Sequence, residues 1–404
     1  MARVLFCWEL GGGYGHISNF LKLGRELRAR GHEVVFALKD LARAENILGC
    51  HGFALLQAPL WLPQPVGVPP PGNYGEILFS FGYFDAAGLT GVVRAWRSLF
   101  ALVDADLLVM ENSPTALLAA RCLETPRALI GTGFSCPPRE SPLPPLRWWQ
   151  SDLKYRFDEH DRILLNTMND VMRRVGSPEL QRVADLLAAD ETFLCTFPEI
   201  DHYLKRDPAQ HYWGPAFNVD EGAPPSWPTG EGKRVFAYLD PGHRDFATVL
   251  QALGKSGRSV LVHAPGASER VRKATTGPRL SFSGSAVRVA DALDGADSVV
   301  CHGGHGLVSA ALLAGKPVLA VPTHLEQYML AERLAMLGAG RSWVRERGEA
   351  ALRKSIDDVL GKPACTDSAA TFAASHRDFD LRSQVAGIVD RMEALLRCPG
   401  RANP

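Results

Sequence analysis

Three short stretches of this 404-residue chain hold side chains whose types and spacing could do chemistry. The first is Gly11-Gly12-Gly13-Tyr14-Gly15-His16. It places an imidazole on the first turn of a helix that follows a strand, at the sheet edge where ligands of open α/β sheets bind. The positive end of the helix dipole disfavours imidazolium and helps the neutral, basic form, which suits a general base. The bland alternative is a loop histidine bonded to a backbone carbonyl. The second stretch, Cys301-His302-Gly303-Gly304-His305-Gly306 with Leu307 behind it, follows an apolar strand and opens another helix. Its small residues let backbone amides come close to a ligand, and the helix start adds N–H groups and positive dipole, a cradle for a diphosphate. The third, Pro322-Thr323-His324-Leu325-Glu326-Gln327, sets a carboxylate beside a carboxamide, a combination able to bind several sugar hydroxyls. The same residues also read as a capping box, with Thr323 as cap and Glu326 at its third position.

Other chemistries fit these residues less well. A dinucleotide fingerprint starting at Gly11 needs glycine where His16 stands, and one starting at Gly13 needs it where Ser18 stands, although Asp40 occupies roughly the place of a ribose-binding acid. The second glycine stretch is no P-loop, since no Gly-Lys-Ser or Gly-Lys-Thr follows. A zinc site on Cys301, His302 and His305 lacks a nearby fourth ligand, and its adjacent Cys and His point opposite ways from a strand end; no metal is expected. Asp104-Ala105-Asp106 precedes its strand, away from the ligand edge, and reads as a solvated turn.

The elements that must carry these stretches alternate. Arg3 to Trp8 reads as a strand; Ile17, Phe20, Leu21, Gly24 and Leu27 share one helical face; Glu33 to Leu38 is the next strand. Leu107 to Met110, a helix from Pro114 through Leu123, and Arg127 to Ile130 repeat the pattern, which predicts a doubly wound α/β domain. Residues 215–232, rich in Pro, Gly and acidic residues, read as a linker. Alternation then resumes with a strand from Lys233, a helix near 243–254, strands at 259–263 and 298–301, a helix at 306–314 and a strand at 317–321. The expected layout is an N-terminal domain over 1–214, a second domain over 233–375, and a closing helical stretch, 376–404, with helical spacing.

Composition narrows the class. Hydrophobic residues are 46% and charged residues 22%, ordinary for globular domains with sizeable cores. Lys+Arg and Asp+Glu are each 44, so no general attraction to nucleic acid or anionic membrane is indicated. No apolar run reaches the roughly 18 to 20 residues of a membrane span. The eight scattered cysteines, none in a CxxC pair, read as reduced buried thiols of a cytoplasmic protein. Oligomeric state stays open. Two aromatic, Pro-rich stretches, 57–90 and 134–151, break the alternation. Trp61, Phe81, Phe84, Phe134 and Trp148 there are candidates to line a pocket for a flat or apolar ligand, or equally to cover their own core.

Taken together, the chain resembles the UDP-glycosyltransferase-like family of GT-B fold, of the bacterial natural-product type. The stretch GGGYGHISNFLKLGRELRARGHEVVF is similar to that family's first strand, loop and helix, and CHGGHGLVSAALLAGKPVLAVPTHLEQYMLAERLAMLGAG to its donor-binding signature. The resemblance implies two tandem Rossmann-like domains facing each other across a cleft, the closing helix returning to the first. It implies an inverting, metal-independent transfer of sugar from a UDP- or dTDP-sugar to a hydroxyl of a small, apolar or aromatic acceptor, with no cofactor. By it, His16 matches the catalytic base and Glu111, at the end of ADLLVME, the acid that polarises it. His302, Gly303, Gly304, His305, Gly306 and Leu307 match the diphosphate turn, and Glu326 and Gln327 the donor-sugar pair. Leu307 stands where the family often has Thr or Ser, Ala310 where it often has a ribose-binding Glu, and Asp240-Pro241-Gly242-His243 where it usually has Gly-Ser or Gly-Thr. These departures keep a second function open, a non-catalytic ligand- or partner-binding module; a sugar-nucleotide epimerase fits less well.

Overall fold

The computed structural model describes residues 1–150 and 156–397, in two units. Met1–Phe197, Asp201–Gly214 and Asp380–Pro404 form the first, Pro198–Ile200 and Pro215–Phe379 the second.

The first unit runs β1 (Arg3–Trp8), α1 (Tyr14–Ala29), β2 (Glu33–Leu38), α2 (Leu41–Ile47), β3 (Ala54–Gln57), α3 (Tyr74–Leu78), α4 (Ala86–Val103), β4 (Leu107–Glu111), α5 (Pro114–Ala120), β5 (Arg127–Gly131), α6 (Phe157–Arg174) and β6 (Glu191–Leu194). Its sheet has the order β3-β2-β1-β4-β5-β6. Every ladder is parallel, so both faces must be covered and the strands read as continuous apolar runs. Along β1 the side chains alternate between two core layers. Leu5 and Cys7 join the layer that holds Trp96, Leu118 and Met168; Val4, Phe6 and Trp8 join the one that holds Phe20, Phe36 and Leu27.

α4 is long and apolar enough by composition to cross a membrane, a run the sequence reading did not count. Its stripe of Leu89, Val93, Trp96 and Phe100 is spent in the core of the unit, while Arg94 and Arg97 bond to backbone oxygens near residue 175. Asp104 ends α4 in the left-handed region, and Asp106 accepts the Arg3 N–H at 2.7 Å. The Asp-Ala-Asp stretch therefore closes a helix at the edge away from the strand ends. Asp40 caps α2, accepting from the Arg43 N–H at 3.0 Å.

The second unit runs β7 (Arg234–Tyr238), α7 (Phe246–Gly254), β8 (Ser259–His263), α8 (Glu269–Thr275), β9 (Leu280–Phe282), α9 (Val289–Gly295), β10 (Ser298–Cys301), α10 (His305–Leu313), β11 (Val318–Ala320), α11 (Leu325–Leu337), β12 (Gly340–Ser342), α12 (Gly348–Gly361) and α13 (Pro363–Ser375). The sheet is again parallel, in the order β12-β11-β10-β7-β8-β9. Residues 215–232, expected as a linker, are grouped with this unit. They are laid along it by backbone bonds, Ala223 N to Ala286 O at 2.8 Å and Arg288 N to Ala223 O at 2.7 Å, and Trp227 packs beside Phe236 and Leu261.

A final helix, α14 (Leu381–Arg397), belongs to the first unit. Ile388, Val389 and Met392 enter the core layer under α1. Glu393 accepts from Arg30 at 3.2 Å and from His32 at 3.0 Å, and Gln384 donates to the Trp213 carbonyl at 3.0 Å. The helix starts later than its spacing suggested: Phe379 belongs with the second unit, its ring centroid 6.5 Å from that of Phe217. Among the described residues every cysteine is unbridged; Cys50 and Cys122 are exposed rather than buried, and Cys398 lies outside the described residues.

Candidate functional site

In each sheet the strand order reverses once, between β1 and β4 in the first unit and between β7 and β10 in the second. Such reversals open a crevice beyond the carboxyl ends of the strands, where ligands of this architecture sit. The sequence motifs fall at these two places.

In the first unit Trp8 and Glu111 are the last paired residues of β1 and β4. The chain leaves β1 through the glycine loop, and α1 brings His16 back over the strand ends. His16 Nδ1 lies 2.8 Å from Glu111 Oε2. A carboxylate only accepts, so Nδ1 carries the proton, and in the neutral ring Nε2 is then the acceptor, the tautomer a base requires. The buried Trp8 indole stacks on the imidazole, centroids 5.2 Å apart at 22°, and donates its own N–H to Leu10 O at 2.6 Å, which fixes both rings. The His16 and Glu111 side chains are 17% and 11% exposed, shielded yet reachable. Gly11 is required beside them. It has a φ of +82°, and a Cβ there would lie 2.6 Å from His16 Nε2. Only glycine takes that conformation freely and avoids driving a Cβ into the imidazole.

One group here escaped the sequence reading. Glu9, 2% exposed, follows β1 directly, and its Oε2 accepts the N–H groups of Thr115 at 2.9 Å and Ala116 at 3.3 Å. Burial pushes its carboxyl up to about 7, against those hydrogen bonds and the nearby Lys39 ammonium. A lone acid closing an apolar strand was the available signal, but its partners lie more than a hundred residues further on.

The candidate acceptor aromatics divide into separate contacts. Trp61 meets Phe84 edge-on at 6.4 Å, and the absence of side chains at Gly82 and Gly88 makes room for its indole. Phe81 packs on the core, Phe134 lies against His202 at 5.9 Å, and Trp148 against Trp149 at 5.0 Å. Phe84 is 52% exposed.

In the second unit Cys301 and Tyr238 are the last paired residues of β10 and β7. Both ring nitrogens of His302 are engaged: Nδ1–H donates to Val321 O at 2.8 Å and Nε2 accepts the Asp240 N–H at 2.7 Å. The imidazole thus fastens the turn to the 240–243 loop and to the end of β11. Its ring also lies 5.2 Å from that of His243. Gly303, at φ +82°, lets the turn lie against α11: a Cβ there would be 3.2 Å from Gln327 O. Gly304 ends the turn as N-cap of α10, whose first turn carries the amides of Gly306 and Leu307. A helix start leaves such amides without intrahelical partners, the requirement for an anion site. Leu307 turns its side chain into an apolar cluster beside Phe236, and Ala310 is buried.

The expected capping box at 323–326 is not formed. His324 is the N-cap of α11 and makes no side-chain cap bond. Instead Gln327 Oε1 accepts both the Thr323 N–H and the Thr323 hydroxyl at 2.9 Å, which points the carboxamide's donors elsewhere and leaves Glu326 in the first helical turn. Among the described residues no three His, Cys, Asp or Glu side chains gather as a metal site would need, and Cys301 Sγ accepts the Gly303 N–H at 3.3 Å.

Residues 247–394 match the model of the erythromycin biosynthesis protein CIII-like C-terminal domain. The chain is 25% identical to 4'-demethylrebeccamycin synthase of Lentzea aerocolonigenes, over 98% of this chain and 100% of that protein. It is 27% identical to zeaxanthin glucosyltransferase of Pseudescherichia vulneris, over 94% and 95%. Among solved structures, the calicheamicin glycosyltransferase superposes with a TM-score of 0.71 at 17% identity, covering 100% of this chain and 99% of that one. The glycosyltransferase VinC, solved in complex with dTDP, superposes at 0.65 and 16%, covering 98% and 99%.

Proposed function

We propose that this chain, a glycosyltransferase of GT-B fold, moves a sugar from a UDP- or dTDP-sugar to a hydroxyl of a small apolar or aromatic molecule, with inversion and without a metal. The observation that carries this reading is the His16–Glu111 pair, 2.8 Å apart at a strand-order reversal, a pairing that favours the proton on Nδ1 and the lone pair on Nε2 of the neutral ring. In this mechanism Nε2 takes the proton of the acceptor hydroxyl as its oxygen attacks the anomeric carbon from the face opposite the leaving diphosphate. One bond forms, the bond to the diphosphate oxygen breaks, and a single displacement inverts the centre. General-base help of this kind contributes about 10² to 10⁴ in rate. Glu111 stabilises the imidazolium that forms. Charge develops on the diphosphate, where the amides of Gly306 and Leu307 and the dipole of α10 act on it. Glu326 and the free donors of Gln327 take sugar hydroxyls. The dTDP complex of VinC and the name zeaxanthin glucosyltransferase support the donor class and an apolar acceptor respectively.

His16→Ala tests the reading. Sugar transfer should be abolished while binding of the nucleotide-sugar, measured by calorimetry, stays within a few-fold of wild type. Transfer by the variant near the wild-type rate removes the base assignment.

A further inference from the structure

A second polar group faces the lone pair of the base. Asn112 follows Glu111 and is only 5% exposed. Its φ is +44°, in the left-handed region that few side-chain-bearing residues occupy, and Asn is among those few. Its backbone carbonyl accepts the Leu10 N–H at 2.9 Å, holding the peptide against the glycine loop. Its side-chain Oδ1 accepts from the hydroxyl of Tyr74, a residue 2% exposed at the start of α3, at 3.1 Å. With Oδ1 committed, the Nδ2 amine turns toward Gly11. The point a Cβ would take at Gly11 is 3.3 Å from Asn112 Nδ2 and 2.6 Å from His16 Nε2. The two nitrogens therefore flank the same face of one glycine, close enough for a single oxygen atom to bridge them at ordinary hydrogen-bond lengths. One is an acceptor, the other a donor.

We propose that Asn112 Nδ2 is the second hydrogen-bond partner of the attacking atom and that it makes the site selective for oxygen nucleophiles. This rests on the transferase reading above and names the acceptor chemistry within it. An alcohol or phenol donates its O–H to Nε2 and still offers a lone pair to the Asn112 N–H. An indole or amide N–H satisfies Nε2 equally well, but its nitrogen lone pair is delocalised into the π system and cannot accept, so the Asn112 carboxamide N–H, shut off from water by the bound acceptor, is left unsatisfied. As the proton passes to Nε2 and the C–O bond forms, the oxygen passes through partial alkoxide character and the bond from Nδ2 strengthens. Asn112 neither gains nor loses a proton. A donor aimed at a developing oxyanion accounts for roughly 10²- to 10³-fold in kcat when removed. Tyr74 acts through Asn112 as a positioning residue, since without its hydroxyl the carboxamide is free to rotate.

The test uses the full chain with UDP-glucose and dTDP-glucose as donors and a panel of naphthols and alkyl alcohols set against indole and carbazole. Asn112→Gly keeps the positive φ and removes the side chain; Asn112→Asp keeps the shape and the acceptor for Tyr74 but replaces the donor. Both should lower kcat on the hydroxyl acceptors by about 10²-fold with KM little changed, and both should shrink the wild-type preference for oxygen over nitrogen acceptors; Asn112→Gly, which leaves the Tyr74 hydroxyl unpaired, should also melt lower than Asn112→Asp. Tyr74→Phe should give a smaller fall in kcat of the same kind. Transfer that depends on His16 but proceeds in Asn112→Gly within twofold of wild type overturns this proposal alone. So does a loss of kcat that leaves the oxygen-to-nitrogen ratio unchanged. Absence of transfer by the wild-type chain with every pairing overturns the transferase reading and this proposal together.

Discussion

At the scale of residues, the first site depends on which imidazole nitrogen holds the proton. Glu111 decides that by accepting from Nδ1 at 2.8 Å. Glu111→Gln keeps the length of the side chain but lets an amide N–H face Nδ1. The preferred tautomer then carries its proton on Nε2, where it meets the substrate hydroxyl as a donor rather than a base. Loss of kcat on the order of 10³-fold is expected, with nucleotide affinity and melting temperature close to wild type. Steady-state kinetics beside a thermal melt check this, and a variant that retains more than a tenth of wild-type kcat contradicts the assignment. The pairing of His16 with Glu111 was legible only through family resemblance, because 95 residues separate them. Asn112 was not legible at all. Its role depends on a positive φ and on Tyr74, and neither leaves a mark in local sequence.

At the scale of elements, strands were the readable part. β1, β2 and β8 are buried along nearly their whole length, and their apolar runs could be marked to the residue. α6 hid behind charge: Asp158, Glu159, Arg173 and Arg174 sit at its ends and only one stripe, including Leu164, Met168 and Val171, is buried. Residues 215–232 looked like a linker because they carry no periodicity, yet backbone bonds at Val219 and Ala223 and the packing of Trp227 lay them along the second unit. The turn before α10 depends on a different economy, close packing of one glycine. Gly303→Ala would place a Cβ 3.2 Å from Gln327 O at a φ of +82°. The strain, of order 1–2 kcal/mol, must be relieved by moving the turn away from α11. Donor affinity should fall about tenfold, with KM for the nucleotide-sugar rising more than kcat falls. Titration calorimetry with UDP and dTDP measures it, and unchanged affinity would mean that the diphosphate is held elsewhere.

At the scale of the whole molecule, the two units should answer differently to pH, because the most perturbed carboxyl near a strand end lies in only one of them. Glu9 has a pKa of about 7 in the folded first unit against 4.5 ordinarily, with burial as the main cause. Between these values the native state keeps a proton that the unfolded chain has released. The native state then binds more protons, so the contribution of this group to stability falls as pH rises from about 4.5 to about 7 and is flat on either side. The full swing is on the order of 3 kcal/mol, which corresponds to several degrees in melting temperature for a unit of this size. Glu9→Gln removes the ionisation while its carboxamide oxygen can still accept from Thr115 and Ala116. The variant should melt several degrees above wild type at pH 8 and close to it at pH 5. Only the calorimetric transition of the first unit should shift. The transition of the second, recognised by its rise with added dTDP or UDP, should stay where it is in both proteins. A difference from wild type that is the same at pH 5 and pH 8 would show that Glu9 is already ionised in the folded state, its charge held by the helix start and Lys39 against its burial.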